Sequence, residues 1–125
     1  MYEKILVTST SQISTLLDHA APPPTVTLTV SGQRVPAALL VWGKPPDGAW
    51  VAGVAYLSRT WHSRALVTMW VPAAALTPRQ HTDYRRVPRV RLRRDRGRWP
   101  TLPPRYPGAG PEWVAVHRHM DYPGL

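Results

Sequence analysis

Arginine is concentrated in one stretch of the chain, from residue 85 to residue 98. Residues 63–125 hold twelve arginines against four acidic residues, a balance of +8, whereas residues 1–62 balance at +1. In the run RRVPRVRLRR, Val90 and Leu92 alternate with Arg89, Arg91 and Arg93. On an extended strand these two sets project to opposite faces, and neighbours on one face lie roughly 6.6 Å apart, comparable with phosphate spacing along a nucleic-acid strand. The pattern predicts an edge strand that is anchored by its apolar face and presents a row of cations to phosphates.

Tryptophan and tyrosine provide all of the aromatic surface, since the chain has six Trp, five Tyr and no Phe. Trp42, Trp50 and Trp70 lie inside strand-like patterns, which predicts core positions. Trp61 and Trp99 lie beside arginines, where an indole either packs structurally or stacks a base, a contact worth ~1 to 3 kcal/mol. The candidate nucleic-acid-binding residues are therefore Arg85, Arg86, Arg89, Arg91, Arg93, Arg94, Arg96, Arg98, Trp99 and Trp61.

Metal and catalytic chemistry are weakly indicated. The chain has no cysteine, which excludes thiolate metal sites, disulfides and cysteine nucleophiles. His117 and His119 would share one face of a strand, but further metal ligands such as His81 or Asp121 would have to come from elsewhere. A metal-independent nuclease with His62 or His81 as base is a further alternative, although no spacing locates such a site. We expect a non-catalytic protein with no cofactor and no bound metal.

The N-terminal elements that would support these side chains are a strand and a helix. Residues 2–8, YEKILVT, have strand-like composition. Ser9 to Ser11 offer side-chain oxygens as helix caps, and Ile13, Leu16, Leu17 and Ala20 follow at helical spacing. Three prolines at 22–24 end the helix and form a stiff, extended connector.

The middle of the chain has the period of two that is typical of strands. Residues 25–30 alternate threonine with Val or Leu, and Ser31-Gly32-Gln33 supplies a turn into a second strand at 34–42. A Pro-Pro-Asp-Gly turn at 45–48 leads to strands at 49–57 and 65–71. We expect a four-stranded meander, which a helical or 3₁₀ turn at 72–78 closes.

The order of WVAGVAY at 50–56, a distal loop, LVTMWV at 66–71 and PAAAL at 72–76 resembles the end of a small SH3-like or Tudor-like barrel. In that architecture a 3₁₀ turn precedes a last strand, and the resemblance extends over residues 25–92. It implies a small antiparallel, partly closed barrel and no particular functional residue. The predicted fold class is α+β, mainly β, with one N-terminal helix and an Arg-rich strand and loop.

The length of 125 residues predicts one domain. Its expected segments are a strand and helix at 1–24, the meander core at 25–78, a basic and Pro-rich segment at 79–111, and a C-terminal strand and tail at 112–125.

Charge gives the main functional indication, because the net charge is +9 and the sequence pI is about 11.1. No apolar run approaches the ~18 to 20 residues that cross a bilayer, so we expect a soluble cytoplasmic protein without a membrane partner. The predicted function is non-catalytic binding of DNA or RNA with low sequence specificity. The alternative is an adaptor or structural subunit that docks its basic strand on an acidic protein surface.

Overall fold

A computed structural model describes residues 5–59 and 64–103 of the chain. These residues are mainly β, with a single α-helix, as predicted. The elements in chain order are β1 (Ile5–Val7), α1 (Thr10–Asp18), β2 (Thr25–Val30), β3 (Gln33–Lys44), β4 (Val51–Arg59), β5 (Arg64–Pro72), a 3₁₀ turn (Ala73–Ala75), β6 (Leu76–Thr77) and β7 (Arg89–Leu92).

The helix begins where the sequence predicts it. The Ser9 hydroxyl accepts a hydrogen bond from the Gln12 backbone N–H at 3.3 Å, and the Gln12 side-chain oxygen accepts one from the Ser9 N–H at 3.1 Å. This reciprocal capping box satisfies two backbone donors at the helix start. Ile13, which is fully buried, attaches the helix to the sheet.

The predicted meander is confirmed. β2, β3, β4 and β5 pair in sequence, each antiparallel to the next. Ser31 and Gly32 both have positive φ, 50° and 76°, as a two-residue hairpin turn requires. The pairing of β3 with β4 shifts register between Leu39 and Val41. This irregularity accounts for the packing of consecutive Leu40 and Val41 into one core cluster.

The end of the meander has the predicted 3₁₀ turn followed by a short strand. The turn leads from β5 into β6, which pairs antiparallel with β2 at the opposite side of the meander. Among the described residues, β5 itself pairs only with β4. The sheet is therefore open there, and the closed part of the SH3-like or Tudor-like expectation is not confirmed.

The position of β7 corrects the prediction of an edge strand. β7 lies between β1 and β3 and is parallel to both, so the sheet is mixed rather than purely antiparallel. β2 pairs with residues 33–38 of β3, which leaves residues 42–44 available on that side for β7. The alternation of apolar residues with arginines shows that one face of the strand is buried and the other exposed. It is the same whether the strand has one neighbouring strand or two, so it does not distinguish an edge strand from a central one.

Each face of the sheet carries a core cluster. The first face packs against α1 and residues 99–102, and its cluster includes Val90, Leu92 and Leu102. The second face carries a cluster from β2 to β5 that includes Leu28, Leu39 and Val54. The core prediction for three tryptophans is met in part, because Trp42 and Trp70 pack against these clusters but remain half-buried, and Trp50 belongs to neither.

Candidate nucleic-acid interface

The two faces of β7 differ as predicted. Val90 and Leu92 are buried, at 0% and 3% exposure, whereas Arg89 and Arg91 are exposed. The backbone is held on both sides of this alternation. Pro88 accepts a hydrogen bond from the Trp42 N–H at 2.8 Å, and Arg93, just beyond the strand, donates its N–H to Val7 at 3.0 Å. The arginines therefore project from a fixed backbone.

The parallel pairing with β3 places a third cation beside these arginines. Trp42 is the register partner of Arg89, and Lys44 is that of Arg91, so all four side chains start from the second face. The Lys44 ammonium donates to the Gly48 carbonyl at 2.6 Å. Like charges on neighbouring strands repel each other, and a bound polyanion relieves that repulsion. We refer to Arg89, Arg91 and Lys44 as the basic row.

Next to the basic row lies an open pocket of about 540 Å³. Its wall is largely apolar, with two arginines at its margin. We call it the aromatic pocket, and its lining residues are Trp42, Trp50, Ala73, Tyr84, Arg85 and Arg89. Aromatic side chains next to guanidinium groups can stack a planar π-system and hold an attached anion.

Tyr84 fixes one side of the aromatic pocket. Its hydroxyl donates to the Thr25 carbonyl and accepts from the Arg79 N–H, both at 2.8 Å. Its ring packs against the second core cluster. The Val87 N–H closes the following turn onto the Tyr84 carbonyl at 3.2 Å. These contacts join the segment that carries Arg85 and Arg89 to the start of β2.

Arg85 is less available than its sequence context predicts. Its Nε and Nη2 donate to the two carboxylate oxygens of Asp83 at 3.1 and 3.2 Å. These side-chain hydrogen bonds lower the pKa of Asp83 and raise that of Arg85, so both groups stay charged. Arg89 and Arg91, in contrast, form no ion pair with any residue of the described segments.

A second contact between an arginine and a tryptophan lies in the segment after β7. Asp95 and Arg98 exchange backbone hydrogen bonds of 2.8 and 3.1 Å, and Arg96 and Gly97 have φ of 53° and 78°. Residues 95–98 therefore form a two-residue hairpin turn. The Arg94 guanidinium carbon lies 4.8 Å from the centre of the Trp99 ring.

Trp99 is half-buried and packs against the first core cluster. An open pocket of about 580 Å³ separates this turn from the start of α1. Arg96 and Arg98 lie on one side of it and the hydroxyl-bearing residues Ser9 and Thr10 on the other.

The structure distributes the predicted binding residues over several places rather than along one row. Arg85 and Arg89 line the aromatic pocket, and Arg91 and Arg93 line a smaller cleft of about 190 Å³ with Leu6 and Lys44. Arg86 is exposed and lines none of these pockets. The remaining predicted residues are Arg94, Arg96, Arg98 and Trp99 around the hairpin turn, and Trp61, which lies outside the described residues.

Lys44, Trp50 and Tyr84 join the candidate site although no sequence motif marks them. They meet the arginines because β3 pairs with β7 and because Tyr84 is bonded to β2, and both are long-range contacts. The turn signal at 45–48, which ends β3 beside Lys44, is the nearest local indication.

Within residues 5–59 and 64–103, no three His, Asp or Glu side chains gather as a metal site would need. The alternatives based on His62, His117 and His119 fall outside these residues. The one helix found there is too short to span a bilayer. No protein-family model, curated protein or solved structure matches the chain.

Proposed function

We propose that the protein is a non-catalytic nucleic-acid-binding module that contacts phosphates through the basic row and has little sequence specificity. The proposal depends on the exposure of Arg89 and Arg91 and on their lack of ion pairs with the described residues. Both are exposed, both start from a fixed backbone, and neither is paired with a carboxylate of the described residues. Guanidinium groups in that state are suited to phosphate oxygens.

Low specificity follows from the kind of contact. Phosphate contacts position a protein on nucleic acid but carry no direct sequence information. Arg89 and Arg91 lie roughly 6.6 Å apart along β7, so each can contact a separate phosphate of one strand. Lys44 adds a third positive charge beside them.

The test is the salt dependence of binding to an oligonucleotide for the R89A/R91A variant. Each lost contact lowers the slope of log K against log salt by about 0.7 on a single strand, so the double variant loses about 1.4. The matched control is R34A/R79A, which removes the same charge from two exposed arginines that line none of the pockets described above. Equal slopes for the two variants, or no binding of the parent protein at low salt, would contradict the proposal.

One observation favours the second candidate function, docking on an acidic protein. Ile5 and Leu6 are 42% and 36% exposed, and Leu6 is the register partner of Arg91. Apolar side chains among cations suit a protein interface better than a phosphate backbone. On this reading the parent protein lacks salt-dependent affinity for nucleic acid, and R91A loses a co-purifying protein that R34A retains.

We also propose that the meander is a partly closed barrel of the SH3-like or Tudor-like kind. The support is the 3₁₀ turn that carries the chain from β5 into β6, because β6 pairs with β2 and so connects the two sides of the meander. Backbone amide exchange tests this: pairing along the second edge of β5 would protect alternate amides that a one-sided strand leaves open.

A further inference from the structure

We infer that the aromatic pocket receives an unstacked base, so that the nucleic acid bound by the basic row is single-stranded. This rests on the proposed function and deepens it. Two observations support it. Arg89 is the register partner of Trp42, and these two residues line one open pocket together with Trp50 and Tyr84.

The pocket is in the right place for a base that belongs to the bound strand. Arg89 is both a member of the basic row and part of the pocket margin. A nucleotide whose phosphate contacts Arg89 therefore has its base within reach of the Trp42 and Trp50 rings. Trp50 is half-buried and lines the pocket, but it packs against neither core cluster of the described residues.

A duplex cannot use this pocket without first extruding a base. Its bases are paired and stacked inside the helix, and bringing one out costs unstacking and unpairing energy. A single strand already exposes its bases, and every base has a π-face that an indole can stack. The pocket therefore adds affinity for single strands and none for an intact duplex, whereas the basic row serves both.

Charge argues against a cationic occupant. Aromatic pockets also bind ammonium groups, over the faces of their rings. Here Arg89 lies on the margin and pairs with no carboxylate of the described residues, and the carboxylate of Asp83 is already bound to Arg85. A planar base linked to an anionic phosphate fits this combination of aromatic wall and positive margin.

The test compares three ligands of equal length: a mixed-sequence single strand, the same strand as a duplex, and an abasic strand that retains the phosphates. The parent protein should bind the single strand about 5- to 140-fold more tightly than the abasic strand, which corresponds to stacking of one base. The W50A variant should lose this preference while its affinity for the abasic strand and the duplex stays the same. W50F, which retains an aromatic ring, should recover part of it.

The outcomes separate this inference from the function on which it rests. Salt-dependent but equal binding of all three ligands by the parent protein overturns the inference and leaves the basic row in place. A W50A variant that weakens single-strand and abasic binding equally also overturns it, because Trp50 would then act through the fold. Absence of binding to every ligand at low salt contradicts the proposed function itself.

Discussion

Arginine lies beside tryptophan in two regions of the described part of the chain, and the two arrangements differ. After β7, Arg94 covers the Trp99 ring at 4.8 Å, and that ring also packs against the first core cluster. At the aromatic pocket, Arg89 lies beside Trp42 and Trp50 and pairs with no carboxylate of the described residues, and the pocket that these side chains line is open. Arg94 and Trp99 are five residues apart in the chain and contact each other. Arg89 is 47 residues from Trp42 and 39 from Trp50, and these three residues line an open pocket.

If the arginines of β7 act in binding, its buried apolar residues should contribute far more to the stability of the fold than its arginines do. L92A should lower the free energy of unfolding by about 3 kcal/mol, because Leu92 is 3% exposed within the first core cluster. R91A, one residue away on the exposed face, should change it by less than about 0.5 kcal/mol. Urea unfolding of both variants checks this, and a comparable loss in R91A would mean that the arginine is structural.

The two regions should differ in how they respond to loss of one positive charge. R89A should lower the salt slope of single-strand binding by about 0.7, because it removes a phosphate contact. R94A should leave the slope within error of the parent value, since its guanidinium lies over Trp99. Fluorescence anisotropy over a salt series measures both, and a larger slope change in R94A would reverse the assignment of the two regions.

The same pair of variants should show the reverse order in stability. R94A removes a cation–π contact at the surface, which should cost about 0.5 to 1 kcal/mol of unfolding free energy. R89A should be neutral, since the structure records no ion pair or ring contact for it in the described part of the chain. Thermal melts decide the matter, and destabilisation by R89A alone would contradict the comparison.

The smallest expected effect concerns Arg85. This arginine lines the aromatic pocket as Arg89 does, but its guanidinium is paired, in this case with the carboxylate of Asp83. D83N should raise the salt slope by less than about 0.7, the contribution of one phosphate contact, because it releases an exposed guanidinium beside the aromatic pocket.

The hydrogen bonds from Arg85 hold the folded-state pKa of Asp83 below its ordinary value of 3.8. The pair therefore contributes stability above pH 3.8 that is lost as the pH falls through the lowered pKa. D83N should remove this acid-dependent part, and an unchanged acid unfolding profile would show that the pair is not maintained in solution.

Much of the fold follows from short-range patterns in the sequence. Ser9 and Gln12 define the helix start, the alternation from residue 25 defines the strands, and Gly32 and Gly97 mark tight turns. Each of these features depends on residues a few positions apart, where propensity and periodicity are informative. The exposure of Arg89 and Arg91 was predictable on the same basis.

The placement of β7 and the aromatic pocket could not be predicted in this way. β7 joins residues 5–7 and 42–44 by parallel pairing, and such pairing leaves no local trace in the sequence. Trp42 and Trp50 have the spacing of core residues, and only the arrangement of the second face reveals that they line an open pocket. For Trp99 the sequence left a structural and a base-stacking role open, and in the structure Arg94 lies over its ring while the ring also packs against the first core cluster.

The central claim is that bases of a bound single strand enter the pocket between Trp42, Trp50 and Arg89. The most direct measurement is photo-cross-linking of the parent protein to a single strand that carries 5-iododeoxyuridine, followed by peptide mapping of the adduct. The account predicts adducts on Trp42, Trp50 or Tyr84, which line that pocket. Adducts confined to Trp99 or Trp61 would contradict it.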